Sequence, residues 1–276
     1  MAKHLVGCAL WSLAMPDTVE SLKKAAEIGF EGVHFVFQQD SDLEPAALKK
    51  IAETLKSTGL KVPGGKVGFA GEDWTSIATI RKTGGVVDPA TFPERLDRCR
   101  KFAAGYAKLG IRHATTHVGF VPEPGDPKYR GVLDRIGQIA EAFKQEGMTM
   151  GMETGQESAE VLVQAMKDLG RKDVTVNFDP ANFILYGSDD PVRAARRLGP
   201  LTSMAHMKDG IASAKPREVW GVEPQLGKGQ VDLKGVLAGL EEGGFKGPLL
   251  IEREAGPTRF ADLAESRKLV LGLIAG

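Results

Sequence analysis

Along 276 residues the apolar pattern switches between a period of two and a period near 3.6, with a cadence of about 34 residues. Runs of strand character fall at Leu5–Leu10, Gly32–Phe37, Leu60–Phe69, Arg112–His117, Met148–Glu153, Val174–Asp179, Leu201–His206 and Leu249–Glu252. Amphipathic stretches separate them, among them Tyr129–Gln145, Leu233–Glu242 and Pro191–Leu198 as part of the helix after strand six, and glycines such as Gly29, Gly59, Gly110, Gly147, Gly170 and Gly244 stand where helices end. Strands alternating with helices build βαβ units and a parallel sheet. Eight units predict an α/β chain folded as a single (β/α)8 barrel, with residues 1–276 as one domain because no shift in composition marks a boundary. The third strand is the least regular, since Pro63, Gly64 and Gly65 interrupt it. The polar stretch Ala70–Asp88, with Trp74 and Gly84-Gly85, reads as a long loop and a candidate lid.

In such a barrel the active site forms at the carboxyl ends of the strands. The stretch Asp173–Gly187 shows how a carboxylate arrives there: Val174, Val176 and Phe178 alternate along a strand that runs into Asp179 and stops at Pro180. Asp179 also suits the N-cap of the next helix. Glu153, His206 and Glu252 occupy the corresponding places on strands five, seven and eight. Three carboxylates converging in an apolar setting would repel one another and lose hydration unless a cation neutralised them. One imidazole with three carboxylates suits one divalent metal ion; the donor set favours Mn²⁺, with Co²⁺, Zn²⁺ or Mg²⁺ as alternatives.

Strand alternation adds neighbours to the expected pocket. Lys208 lies two residues after His206, and Glu254 two after Glu252. Each is either a substrate contact or half of a loop salt bridge. His117 ends strand four and is expected to reach the cavity. His34 is a candidate substrate contact or a packing group in the core or behind the site, and Trp11, at the end of strand one, either lines the apolar face of a sugar or packs in the core. His113 is expected in the barrel core, His4 on the surface, and Asp232 as an N-cap.

The bulk numbers exclude other classes. Lys plus Arg equals Asp plus Glu at 36 each, so no net charge draws the chain to nucleic acid. No apolar run spans a membrane, and Leu5–Met15 fits a first strand better than a secretory signal. Two cysteines, Cys8 and Cys99, suit a reducing, cytoplasmic setting. Subunit number is left open, with a homo-oligomer allowed.

The motifs METG (152–155), NFDPAN (177–182), HMKDG (206–210), LGKGQVD (226–232) and IEREAG (251–256) together resemble the xylose isomerase-like TIM-barrel superfamily, nearest to its sugar isomerases and ketose 3-epimerases. The resemblance implies that Glu153, Asp179, His206 and Glu252 bind one divalent metal. It further implies that Glu153 and Glu252 serve as acid and base on a small-molecule sugar or keto-sugar, through a metal-bound cis-enediolate. Departures narrow the choice. Xylose isomerase proper uses two metals and a Glu-x-Lys motif, but Thr154 and Gly155 follow Glu153, which favours proton transfer over hydride transfer. The superfamily's apurinic-site endonucleases carry a histidine where this chain has Asn182, which is left as a substrate contact. A keto-sugar or keto-inositol dehydratase or lyase would share the first proton abstraction and remains the alternative. A non-catalytic sugar-binding module is the reading from another class.

Overall fold

The strands lie where the alternating pattern puts them, in a computed structural model that describes residues 4–275. They are β1 (Val6–Ala9), β2 (Gly32–Phe35), β3 (Lys61–Val67), β4 (His113–Thr116), β5 (Thr149–Glu153), β6 (Val174–Phe178), β7 (Thr202–Met207) and β8 (Leu249–Ile251). All pair in parallel in chain order, and β8 pairs back onto β1 to close the barrel. Outward-facing residues such as Val33, Phe35, Met152, Val176 and Phe178 are buried in one continuous apolar core.

The third strand forms despite its glycines, and the interior explains why they are needed. A Cβ at Gly64 would come within 2.7 Å of Met204 Cε, and one at Gly151 within 2.9 Å of His113 Nε2. The interior at that level is filled by Met204 and the His113 ring, so β3 and β5 present no side chain of their own there. His113 stays in the core as expected, its ring bonded to Thr149 Oγ1 at 2.8 Å and Ser203 Oγ at 3.1 Å. Period two then places Lys66, two residues after Gly64, on the same inward face.

Three expectations need correction. His4 is not a surface residue: it is buried, with Nδ1 2.7 Å from the Gly247 carbonyl and its ring stacked on Phe245. Its partners lie more than two hundred residues away, which short-range pattern could not reveal. The segment Ala70–Asp88 is not only loop, because it contains a helix, Ile77–Thr83. Ser76 caps that helix by accepting from the Thr79 N–H, and Ile77 and Ile80 pack with Tyr186, Phe120 and Trp220. Arg95, from the helix Phe92–Lys108, donates to the carbonyls of Gly85 and Thr83, while Gly85 N–H donates to Glu72 at 2.7 Å. These bonds strap the segment over the barrel mouth. Pro191–Leu198, read as part of the helix after β6, is a separate helix. It is divided from Pro180–Tyr186 by Gly187, where φ is +67°.

Candidate metal centre

Each ligand candidate is delivered by the end of a strand in one half of the barrel. Glu153 is the last residue of β5, Asp179 follows β6, His206 is near the end of β7 and Glu252 follows β8. One ligand atom from each lies within 4.8 Å of all the others, and all four residues are buried. His206 Nδ1 is 3.3 Å from Glu153 Oε1, 3.3 Å from Glu252 Oε2 and 3.6 Å from Asp179 Oδ2. Among the described residues, neither His206 Nδ1 nor Asp179 Oδ2 has a hydrogen-bond partner. Orphaned buried polar atoms aimed at one point are the mark of a cation site. The donor set fits a divalent ion with a preference for oxygen.

Asp179 answers both readings of its position, one oxygen for each. Oδ1 accepts the Ala181 and Asn182 N–H groups at 2.9 and 3.1 Å, capping the helix Pro180–Tyr186. Oδ2 is the orphan that faces the other ligands. Burial pushes this carboxyl up, against the pull of Lys208 and His206. Burial would also raise Glu153, but the Lys66 ammonium and His206 hold it below the usual carboxylate range. Glu252 is held down in the same way, by Lys208 first and then His206. Burial alone would lower His206, yet Glu252, Asp179 and Glu153 together raise it.

The other half of the barrel holds this quartet in place. Trp11, which lies just past β1 in a 3₁₀ turn, donates its indole N–H to Glu252 Oε1 at 2.7 Å. His34, on β2, is fully buried behind His206: its Nδ1 is 2.9 Å from His206 Nε2, and its Nε2 is 2.9 Å from Thr115 Oγ1. Burial, and then the neighbouring His206, keep His34 well below its ordinary value, so it is a neutral ring that can accept from His206. This contact orients the His206 ring with Nδ1 toward the carboxylates. His34 is thus bonded to a ligand candidate and does not appear in the lining of the cavity above it.

Above the quartet lies a cavity of about 920 Å³ whose lining includes His117, Asn182, Lys208 and Glu254. Lys208 Nζ donates to Glu252 Oε2 at 3.0 Å and Glu254 Oε2 at 2.6 Å, a salt bridge within the cavity lining. Asn182 donates to the Thr154 carbonyl at 3.1 Å. The His117 ring lies 4.9 Å from Trp74, and its Nδ1 is 3.7 Å from Glu72.

Sequence reasoning passed over Lys66, Glu72, Tyr186, Trp220 and Glu223, all in the same lining. Lys66 was legible in principle, as the inward position of β3. Glu72 and Glu223 come from long loops, where no periodicity points.

A second cavity, of about 760 Å³, lies on the far side of Gln156 and is lined in part by Glu157. Glu157 is buried with Oε2 unpartnered, and burial pushes its carboxyl up to about 8. Between its ordinary value of 4.5 and 8, the folded chain keeps a proton that the unfolded chain has released. This contribution to stability is therefore present at low pH, falls as pH rises through that window and is flat above it. We expect Glu157→Gln to remove a decline of about 3–4 kcal/mol between pH 5 and pH 8. Thermal or urea unfolding across that range checks it, and parallel pH profiles for the two proteins would contradict it.

Comparison with known proteins follows the same lines. The family profile described as xylose isomerase-like TIM barrel matches residues 22–270. The xylose isomerase domain protein from Planctomyces limnophilus, known by crystal structure, is 30% identical, with 91% of each chain covered and a TM-score of 0.87. An L-ribulose 3-epimerase superposes with a TM-score of 0.76 at 16% identity, over 99% of this chain and 95% of that one. A probable 3-DHS dehydratase from Bacillus anthracis gives 0.72 at 15% identity, over 98% and 99%. The last two likenesses show a shared fold alone. No curated protein sequence matches.

Proposed function

The chain belongs to the xylose isomerase-like TIM-barrel family, and from that premise we propose that it is a divalent-metal-dependent isomerase or epimerase of keto-sugars that works by proton transfer. The observation that carries this reading is the pair Glu153 and Glu252, gathered with Asp179 and His206 so that four ligand atoms lie within 4.8 Å of one another. The carboxylate-rich donor set favours Mn²⁺. When bound, such an ion supplies Lewis acidity to a carbonyl and its neighbouring hydroxyl.

The chain's own groups do the rest. Lys208 and Trp11 occupy both oxygens of Glu252, while Lys66 and His206 stand beside Glu153, and the reaction needs one of these two groups ionised and the other protonated. One carboxylate takes the proton from the carbon next to the carbonyl. Return of a proton to the opposite face by the other carboxyl gives an epimer; return to the neighbouring carbon on the same face gives an isomer. Trp74, Tyr186 and Trp220 line the cavity, with Tyr186 and Trp220 centroids 4.6 Å apart, and offer an apolar wall to a sugar face.

The test is to load the protein with Mn²⁺, supply a panel of ketoses in D₂O and follow deuterium at the carbon next to the carbonyl. We expect wash-in together with a second sugar of the same mass apart from the label. Loss of water from the sugar would move the assignment to a dehydratase. A metal-loaded protein that exchanges nothing across the panel would sink the proposal.

A further inference from the structure

Two lysines flank the glutamate pair, and they are not equivalent. Lys208 Nζ is heavily engaged: it donates two of its three hydrogens, to Glu252 and Glu254, and lies 3.9 and 4.0 Å from Asp179 and Glu223. Lys66 Nζ makes no hydrogen bond among the described residues. Its nearest carboxylate oxygen, Glu153 Oε2, is 3.8 Å away, which is beyond hydrogen-bond reach. Its other neighbour is the Trp11 ring, 4.1 Å from the ammonium to the centroid. The side chain is about one-fifth exposed, and what exposure it has is to the reaction cavity.

A cation placed only to steady Glu153 would close to a direct ion pair of about 2.8 Å. This one stands a full ångström further off. It is braced from below by the indole face, with its N–H groups left over for something in the cavity. The place is also specific. Trp11, beneath the ammonium, is the donor to Glu252, so Lys66 lies between Glu153 and the indole that holds Glu252.

Building on the proton-transfer reading above, we propose that Lys66 is a catalytic residue that donates a hydrogen bond to the substrate oxygen on which negative charge develops. The step balances when one carboxyl of the pair enters it ionised and the other carries a proton. As Glu153 or Glu252 accepts the proton, the C–H electron pair becomes a carbon–carbon π bond and the carbonyl π pair moves onto its oxygen. Lys66 stabilises that oxygen and keeps its own proton. The charge returns to carbon when the second carboxyl delivers a proton. A fixed donor aimed at developing charge is worth more than one that must reorganise, because it is already in place. The substrate class this implies is a carbonyl compound with an acidic neighbouring C–H, neutral in the ground state. Lys208 is already paired with Glu252 and Glu254, whereas Lys66 makes no hydrogen bond among the described residues and is free to meet a transient charge.

The experiment compares two probes by calorimetry on metal-loaded protein. One is the hydroxamate of a four-carbon sugar acid, planar and ionisable like the charged intermediate; the other is the neutral polyol of the same length. For Lys66→Met we expect hydroxamate affinity to fall roughly 10²-fold and polyol affinity by less than about threefold, with metal content unchanged by elemental analysis. Lys66→Arg, which keeps the charge, should restore most of the hydroxamate affinity. Equal losses on both probes, no loss on either, or loss of metal in Lys66→Met would each overturn the proposal in favour of a supporting role. Absence of deuterium exchange by the unaltered protein counts against the epimerase reading alone, and the probe comparison still decides Lys66. An exchanging protein whose Lys66→Met variant exchanges equally fast overturns the role of Lys66 and leaves that reading intact.

Discussion

Changing Asp179 to asparagine is expected to abolish tight metal binding while leaving the metal-free barrel as stable as before or more so. The two oxygens of this residue do different work. Oδ1 caps the helix Pro180–Tyr186, and an asparagine carbonyl oxygen can accept the same N–H groups. Oδ2 faces the other ligand candidates without a partner, and an amide nitrogen there would present hydrogens to the ion. Burial already disfavours the charge on this carboxyl, so the neutral side chain relieves a strain in the metal-free protein. Asp179→Ala differs in a useful way, since it loses the cap as well and should cost about 1 kcal/mol in the metal-free state.

Titration of Mn²⁺ followed by thermal unfolding separates the cases. At a hundredfold excess over the dissociation constant, the ion should stabilise the unaltered protein by about 2.7 kcal/mol, or roughly 5–10 °C for a chain of this size. Neither variant should respond. His206→Ala should behave like Asp179→Asn in this assay, because Nδ1 is the only donor it contributes to the cluster. A Mn²⁺-dependent rise in melting temperature that survives both changes would remove the metal centre from this account.

The second large effect is kinetic. Glu153→Gln and Glu252→Gln each keep an oxygen that can serve as a ligand while removing a group that can take or give a proton. Each should lower interconversion by about 10³-fold or more, with most of the metal retained. Deuterium wash-in divides the labour between them. The variant that lacks the abstracting carboxylate should neither exchange nor convert. The variant that lacks only the returning acid should still exchange solvent deuterium into the sugar it was given, without forming the other. Two variants that both convert at the rate of the unaltered protein would reassign the acid and base altogether.

Much of this site could be read from the chain because strand ends are local features. Period two followed by a carboxylate or imidazole at the last position found Glu153, Asp179, His206 and Glu252 without knowledge of any contact. The helices Tyr129–Gln145 and Leu233–Glu242 fall on their expected residues because each has a continuous apolar stripe and a polar or glycine boundary. What stayed hidden depends on partners distant in sequence. His4 is buried by Gly247 and Phe245, more than two hundred residues away. The helix Ile77–Thr83 has only seven residues in a polar segment, and its packing comes from Tyr186, Phe120 and Trp220. Lys66 lies in a strand whose glycines weaken its pattern, and those glycines make sense only once Met204 and His113 are seen to fill the space. His34 reads equally well as a packing group, a support or a substrate contact because its partner, His206, is 172 residues away.

The four ligand candidates all come from β5 to β8, whereas Trp11 and His34, which bond to two of them, and Lys66, beside a third, come from β1 to β3 and the chain just beyond. The candidate cradle and its bracing thus sit on separate halves of one ring. An exchange in the first half of the chain can therefore retune the electrostatics of the cradle with every ligand candidate left in place.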